Sequence, residues 1–246
     1  MSEAGNDWKS SFYAAYVSSG QAPDTGEGAE DLFRSRLPHL NHLIDSHMPE
    51  ARDVRIVDLA CGPGSLLYAL KRRGYNNIGG VDVSAEQIAV AVRIGIASAT
   101  CGTIEDFLAA QPDASVDVIT AIDILEHLTR PQVMALLGAI RRVLKPGGRC
   151  IVQVPNAEGI FAMSIRYGDF THELAFTRVS ATQIFQVAGF REVRCFENRP
   201  QVHGAKSLVR RILWEAGTLP TRLLCLAETA AGGVILSQNM TIRAVL

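Results

Sequence analysis

Short apolar runs alternate with amphipathic stretches along most of this chain. Residues 54–59, 116–121 and 149–154 are runs of strand length, and residues 192–196 and 241–246 read as two further strands. Helical patterns lie between them, over residues 29–47, 65–73 and 131–143, the last with Val133, Leu136, Leu137 and Ile140 on one face. Ser84 with Gln87, and Ser180 with Gln183, are capping-box signals that open helices. Gly74 and Gly189 close the helices before them with a left-handed residue. This alternation predicts an α/β, Rossmann-like, doubly wound and mostly parallel seven-stranded sheet whose ligands sit at the carboxyl ends of the strands. It divides the chain into an N-terminal arm and helix (1–48), a core (49–197), a helical insertion (198–238) and a final core strand (239–246).

The chemistry concentrates where the first strand ends. Ile56-Val57-Asp58-Leu59-Ala60-Cys61-Gly62-Pro63-Gly64-Ser65 runs from an apolar strand through an acid into a Gly-x-Gly turn. Gly62 and Gly64 allow a sharp turn and a close approach to a ligand, and a helix opening near Ser65 aims free N–H groups at the same space. Asp82 ends the next strand and can accept both hydroxyls of a ribose. A dinucleotide loop needs a third glycine where this chain has Leu67, and Asp58 would repel phosphates. A phosphate-free nucleoside with a positive centre suits the turn, and S-adenosylmethionine has that description.

Five blocks in order make the chain resemble a class I S-adenosylmethionine-dependent methyltransferase. They are residues 57–64, Gly80-Val81-Asp82-Val83-Ser84, Val116-Asp117-Val118-Ile119-Thr120-Ala121, Leu125-Glu126-His127-Leu128 and residues 143–149. The resemblance implies that Asp58 holds the α-ammonium group of that cofactor. Ala60, Gly62 and Gly64 would admit its methionyl part, Asp82 take the ribose and Val83 lie on the adenine. Ala121 and Asp123 would pass beneath the methionyl group. Thr103 and Ile104 stand where the family presents an acid to the adenine amino group. Here Gly102-Thr103 replaces the Gly-Asp of many relatives, which leaves that contact to a backbone amide, the Thr103 hydroxyl or a nearby acid such as Asp106.

Methyl transfer from a sulfonium needs an aligned acceptor, and a hydroxyl acceptor also needs a base. His39, His42 and His47 lie on an early helix and read as surface residues, which leaves His127, His172 and His203. His127, with Glu126 beside it, follows the fourth strand and reads either as a catalytic residue or as a tie between loop and helix. His172 lies in a segment similar to the Asp-x-Thr-His-x-x-x-Phe-Thr stretch of a bacterial methyltransferase group associated with polysaccharide and glycolipid assembly. It reads as base, as substrate-orienting residue or as a loop anchor. Asp169, Glu173, Asn156 and Tyr16 are the candidate acceptor contacts. His127, Asp169, His172 and Glu173 are metal-ligand types without a recognised spacing, so no metal is expected.

Composition adds limits. The 246 residues carry a formal net charge of −1 and are 48% hydrophobic, which offers no general attraction to nucleic acid. The five cysteines form no C-x-x-C pair. No signal peptide or membrane-spanning run is evident, so a cytoplasmic protein is expected, with peripheral contact at the inner face of the membrane as an open reading. The insertion mixes Lys206, Arg210, Arg211 and Arg222 with leucines and Trp214. It reads as a cap over the core, a dimer contact or a basic amphipathic helix facing a membrane-anchored substrate. The expected activity is O-methylation of a sugar hydroxyl in a polysaccharide or glycolipid precursor. Its rival is a small aromatic or quinone-like acceptor enclosed by the aromatic arm (Trp8, Phe12, Tyr13 and Tyr16) and the apolar insertion. A non-catalytic cofactor-binding scaffold is the alternative of another class.

Overall fold

The structure is a computed structural model and describes residues 7–15, 18, 28–230 and 232–246. Seven strands form one sheet: β1 (Ile56–Leu59), β2 (Ile78–Asp82), β3 (Ala99–Cys101), β4 (Val116–Ile122), β5 (Leu144–Pro155), β6 (Arg191–Glu197) and β7 (Asn239–Val245). Their order is β3-β2-β1-β4-β5-β7-β6. β1 to β5 are parallel, and β7 runs antiparallel between β5 and β6, as Cys150 opposite Ala244 and Cys195 opposite Ile242 illustrate. The expected doubly wound sheet is therefore present.

Both faces of the sheet are buried, which is why its central strands read as unbroken apolar runs. Alternate residues serve opposite faces. Ile119, Ala121, Cys150 and Val152 pack under α7 (Arg130–Val143) and α9 (Arg178–Val187), with Leu108 of α6 (Ile104–Ala109) in the same cluster. Ile56, Val118 and Ile151 pack on the other face, under α2 (Ala29–Phe33), α3 (Leu37–His47) and α4 (Ser65–Arg72). The α7 face holds as expected, with Val133, Leu136, Leu137 and Ile140 buried. α5 (Ala85–Arg93) opens on Ser84, whose hydroxyl accepts from the Gln87 amide at 3.4 Å. α1 (Asp7–Ala14) and the short α8 (Ala162–Arg166) are two further helices.

Four details depart from the sequence reading. The helix expected over residues 29–47 is broken into α2 and α3, because Pro38 lacks a donor and crowds the preceding turn, and it sits instead in the first turn of α3. α9 is opened by Thr177 and not by Ser180. The Thr177 hydroxyl accepts the Ser180 amide at 3.1 Å while the Ser180 hydroxyl accepts the Thr177 amide at 3.0 Å. His47 is buried against Phe196, and burial with the nearby Arg243 charge pushes its pKa down to about 4. The insertion forms α10 (Ala205–Thr229), held to the sheet edge by Arg222 on Glu197 at 2.6 Å. It does not cap the core. Leu208, Val209, Ile212, Leu213, Leu223 and Leu224 remain exposed.

Candidate functional site

The turn after β1 is built from residues in the left-handed region, with Ala60 at φ 55, Gly62 at 55 and Gly64 at 82. Gly64 leads directly into α4, so its first amides face the turn. Asp82 closes the turn from β2. Its carboxylate accepts the Gly62 amide at 2.8 Å and the Ser84 amide at 2.8 Å. Burial nevertheless keeps its pKa above the ordinary value. The acid expected on the ribose thus also fixes the loop that would hold the rest of the ligand.

Asp58 is buried at the end of β1 and accepts the Thr120 hydroxyl at 2.6 Å. Among the described residues no cationic side chain pairs with it. Burial pushes its pKa up to about 7, against the pull of the Thr120 hydrogen bond. A buried carboxylate without a countercharge suits a ligand that brings its own. Val83 is 53% exposed and offers an apolar surface beside Asp82. The Thr103 hydroxyl is engaged as the cap of α6, accepting the Asp106 amide and donating to the Asp106 carboxylate at 2.7 Å. Ile104 packs against the core, and Ala121 is buried within β4. Asp123, at φ 55, accepts from the Gln153 amide group at 2.9 Å.

The second half of the site gathers Glu126, His127 and His172. Glu126 and His127 are placed by a 3-10 turn over Leu125–His127, straight after β4. His172 arrives on the loop that follows α8, and its ring centre lies 4.7 Å from that of His127. Two backbone bonds dock this loop, the Glu173 and Leu174 amides both donating to the Glu126 carbonyl. The Asp169 carboxylate accepts the Thr171 amide at 2.8 Å and its hydroxyl at 2.6 Å. These bonds outweigh its burial and hold its pKa below the usual carboxylate range. Burial lowers the His127 pKa to about 4, helped by His172, and burial beside Asp123 holds the Glu126 pKa well above its ordinary value.

α1 lies against this cluster. The Lys9 ammonium donates to the His127 carbonyl at 2.7 Å and pairs with Glu173 at 2.8 Å. Trp8, Phe12 and Phe170 form an aromatic trio with ring centres 5.6 to 5.8 Å apart. Tyr13 lies against His127, and burial together with Asp169 pushes its pKa up to about 12. Asn156 is placed differently from the acceptor contact expected of it. Its amide group donates to the Ile235 and Ser237 carbonyls, and its oxygen accepts the Glu158 amide, so the side chain ties the strand end to the segment before β7. Tyr16 lies outside the described residues. Lys9, Thr120 and Thr171 were missed from the sequence. Thr171 stood visible between Asp169 and His172, whereas nothing near Lys9 marks it as a partner of a loop far along the chain.

Residues 56–148 match the sequence model of a methyltransferase domain. A ubiquinone biosynthesis O-methyltransferase from Xylella fastidiosa is 38% identical over 107 residues, covering 42% of this chain and 42% of that protein. The chain therefore spans less than half the length of that curated relative. Among solved structures, an S-adenosylmethionine-dependent methyltransferase from Archaeoglobus fulgidus superposes with a TM-score of 0.66 at 20% identity, covering 88% of this chain and 97% of that one. Phosphoethanolamine N-methyltransferase 2 from Haemonchus contortus, solved with S-adenosylmethionine, gives a TM-score of 0.60 at 16% identity over 95% of this chain and 59% of that one. The matched residues include both the glycine turn after β1 and the turn that carries Glu126 and His127. His172, α1 and α10 lie outside the matched residues.

Proposed function

We propose that the chain transfers a methyl group from S-adenosylmethionine to a hydroxyl oxygen of a small aromatic, quinone-like acceptor. The observation that carries this reading is the aromatic trio Trp8, Phe12 and Phe170, carried by the same helix as Tyr13, which lies against His127, and by the same loop as His172. A flat apolar ring stacks well there, with its hydroxyl directed at the imidazoles. The similarity to an O-methyltransferase of ubiquinone biosynthesis supports the same acceptor class. It moves the reading away from the sugar hydroxyl that the Asp169-Thr171-His172 pattern suggested. The uncompensated Asp58 carboxylate supports a cationic cofactor, since an α-ammonium group would supply the missing positive charge.

In the transfer, an oxygen lone pair of the acceptor forms the new bond to the methyl carbon. The methyl–sulfur bond breaks and its electron pair stays on sulfur, which leaves S-adenosylhomocysteine. The hydroxyl proton passes to an imidazole of the cluster. Alignment of the three atoms and exclusion of water by α1 supply much of the acceleration. The test is mass spectrometry after incubation of the protein and methyl-labelled S-adenosylmethionine with a panel of phenols, catechols and quinols, and in parallel with nucleotide sugars and glycans. Label on the aromatic panel is the expected result. Label confined to sugars would replace this acceptor class with the glycan one, and cofactor binding without transfer to any acceptor would favour a scaffold.

A further inference from the structure

We propose that Glu126, His127 and His172 hold one divalent transition-metal cation on the acceptor side of the cleft. One ligand atom from each lies within 4.8 Å of the others. The His172 Nε2 and a Glu126 carboxylate oxygen are 4.0 Å apart. Donors on opposite sides of a zinc-sized ion are separated by about 4.2 Å at most, so a cation needs only a small contraction of side chains that already converge.

Hydrogen bonds orient both rings. The His172 Nδ1 lies 3.0 Å from the Ile165 carbonyl, which can only accept, so Nδ1 carries the proton and Nε2 presents a lone pair. The Thr171 hydroxyl spends its proton on the Asp169 carboxylate at 2.6 Å and holds the His127 ring through Nδ1 at 2.7 Å, while the same ring also meets the Asp123 carbonyl. Ligating histidines are oriented in this way, by a carbonyl or a carboxylate-backed partner on the far nitrogen. Beside the two rings stands Glu126, buried to 1% exposure, whose Oε2 has no hydrogen-bond partner among the described residues. Such a group is costly unless something positive meets it. Lys9 does not, because its ammonium is directed at the His127 carbonyl and at Glu173.

Two imidazoles and one carboxylate suit Zn²⁺, Fe²⁺ or Mn²⁺ better than Mg²⁺ or Ca²⁺, which favour all-oxygen sets. The ligands come from two separate segments, and the sequence therefore showed no metal spacing. The use of the cation rests on the methyl-transfer reading. A coordinated acceptor hydroxyl ionises more readily and releases its proton to water, and the two imidazoles then orient the oxygen instead of taking the proton.

Calorimetric titration of chelator-treated full-length protein with ZnCl₂ and MnCl₂ tests the site. One cation per chain is expected, with His127→Gln and His172→Gln each weakening it more than tenfold. Thr171→Val keeps all three ligands but frees the His127 ring, and should weaken binding by about 10- to 100-fold. X-ray absorption of the zinc-loaded protein should show two imidazole ligands, and S-adenosylmethionine affinity checks that each variant is folded. Absence of binding to the unaltered protein at millimolar cation would overturn the proposal. So would binding that survives both histidine changes and disappears with Cys101→Ser. Cation binding with no methylation of any phenol would sink the acceptor reading and support this one, whereas phenol methylation by a protein that binds no cation does the reverse.

Discussion

Asp58→Asn separates the cost of a buried charge from its use. The asparagine oxygen can still accept the Thr120 hydroxyl, so the shape of the strand end survives while the charge is removed. In the free protein the Asp58 pKa stands at about 7 against an ordinary 3.8. The folded state thus holds a proton that the unfolded chain has lost. Stability from this group is complete below pH 3.8, declines as pH rises and is gone above about pH 7. At about 1.4 kcal/mol per pKa unit, ionising Asp58 in the fold costs on the order of 4 kcal/mol as an upper bound. Asp58→Asn should therefore match the unaltered protein in denaturant unfolding at pH 4 and exceed it at pH 8.5 by up to that amount. The same variant should lose more than tenfold in affinity for S-adenosylmethionine, because the α-ammonium group loses its partner. In the unaltered protein, cofactor affinity should climb toward pH 7 and then level off, with proton release seen by calorimetry in two buffers. A stability difference that stays flat from pH 4 to 8.5 would refute the argument.

Other outcomes follow from single contacts. A Cβ at Gly80 would come within 2.8 Å of the Cys61 Cβ, so Gly80→Ala should cost about 1–3 kcal/mol, read by urea unfolding. Asp82→Asn should weaken cofactor binding and loosen the turn together, because the same carboxylate carries the Gly62 and Ser84 amides. Hydrogen exchange at those amides checks the second effect. Lys9→Met should raise KM for the acceptor more than it lowers kcat, since it unfastens α1 and leaves the imidazoles in place. Comparable loss in both parameters would place Lys9 elsewhere in the reaction. His172→Gln should lower kcat by about 10²–10⁴-fold with cofactor affinity unchanged.

The sheet was legible because its strands are covered on both sides. Ile119 and Val118 face different layers yet are both apolar, so the run stands out in the sequence. The candidate cofactor turn stood out for a related reason, since Asp58, the glycine turn and Asp82 lie within two adjacent strand ends. The acceptor half was only partly visible. His127 and His172 meet through a loop docked by backbone bonds to the Glu126 carbonyl, and backbone bonds leave no residue signature. Asn156 misled for the opposite reason. Its address at the end of β5 is that of a ligand contact, but its amide satisfies buried carbonyls of the segment before β7. For α10, an amphipathic pattern predicts a face without naming what covers it.

Lys9 gives α1 an uncommon fastening. A single ammonium, 9% exposed, grips the peptide oxygen of one imidazole-bearing residue and the carboxylate next to the other. Release of α1 is thereby tied to one ion re-entering water, a cost that strong electrolyte reduces. Turnover limited by that step would quicken with added salt, the opposite of what charge-guided capture of a substrate produces.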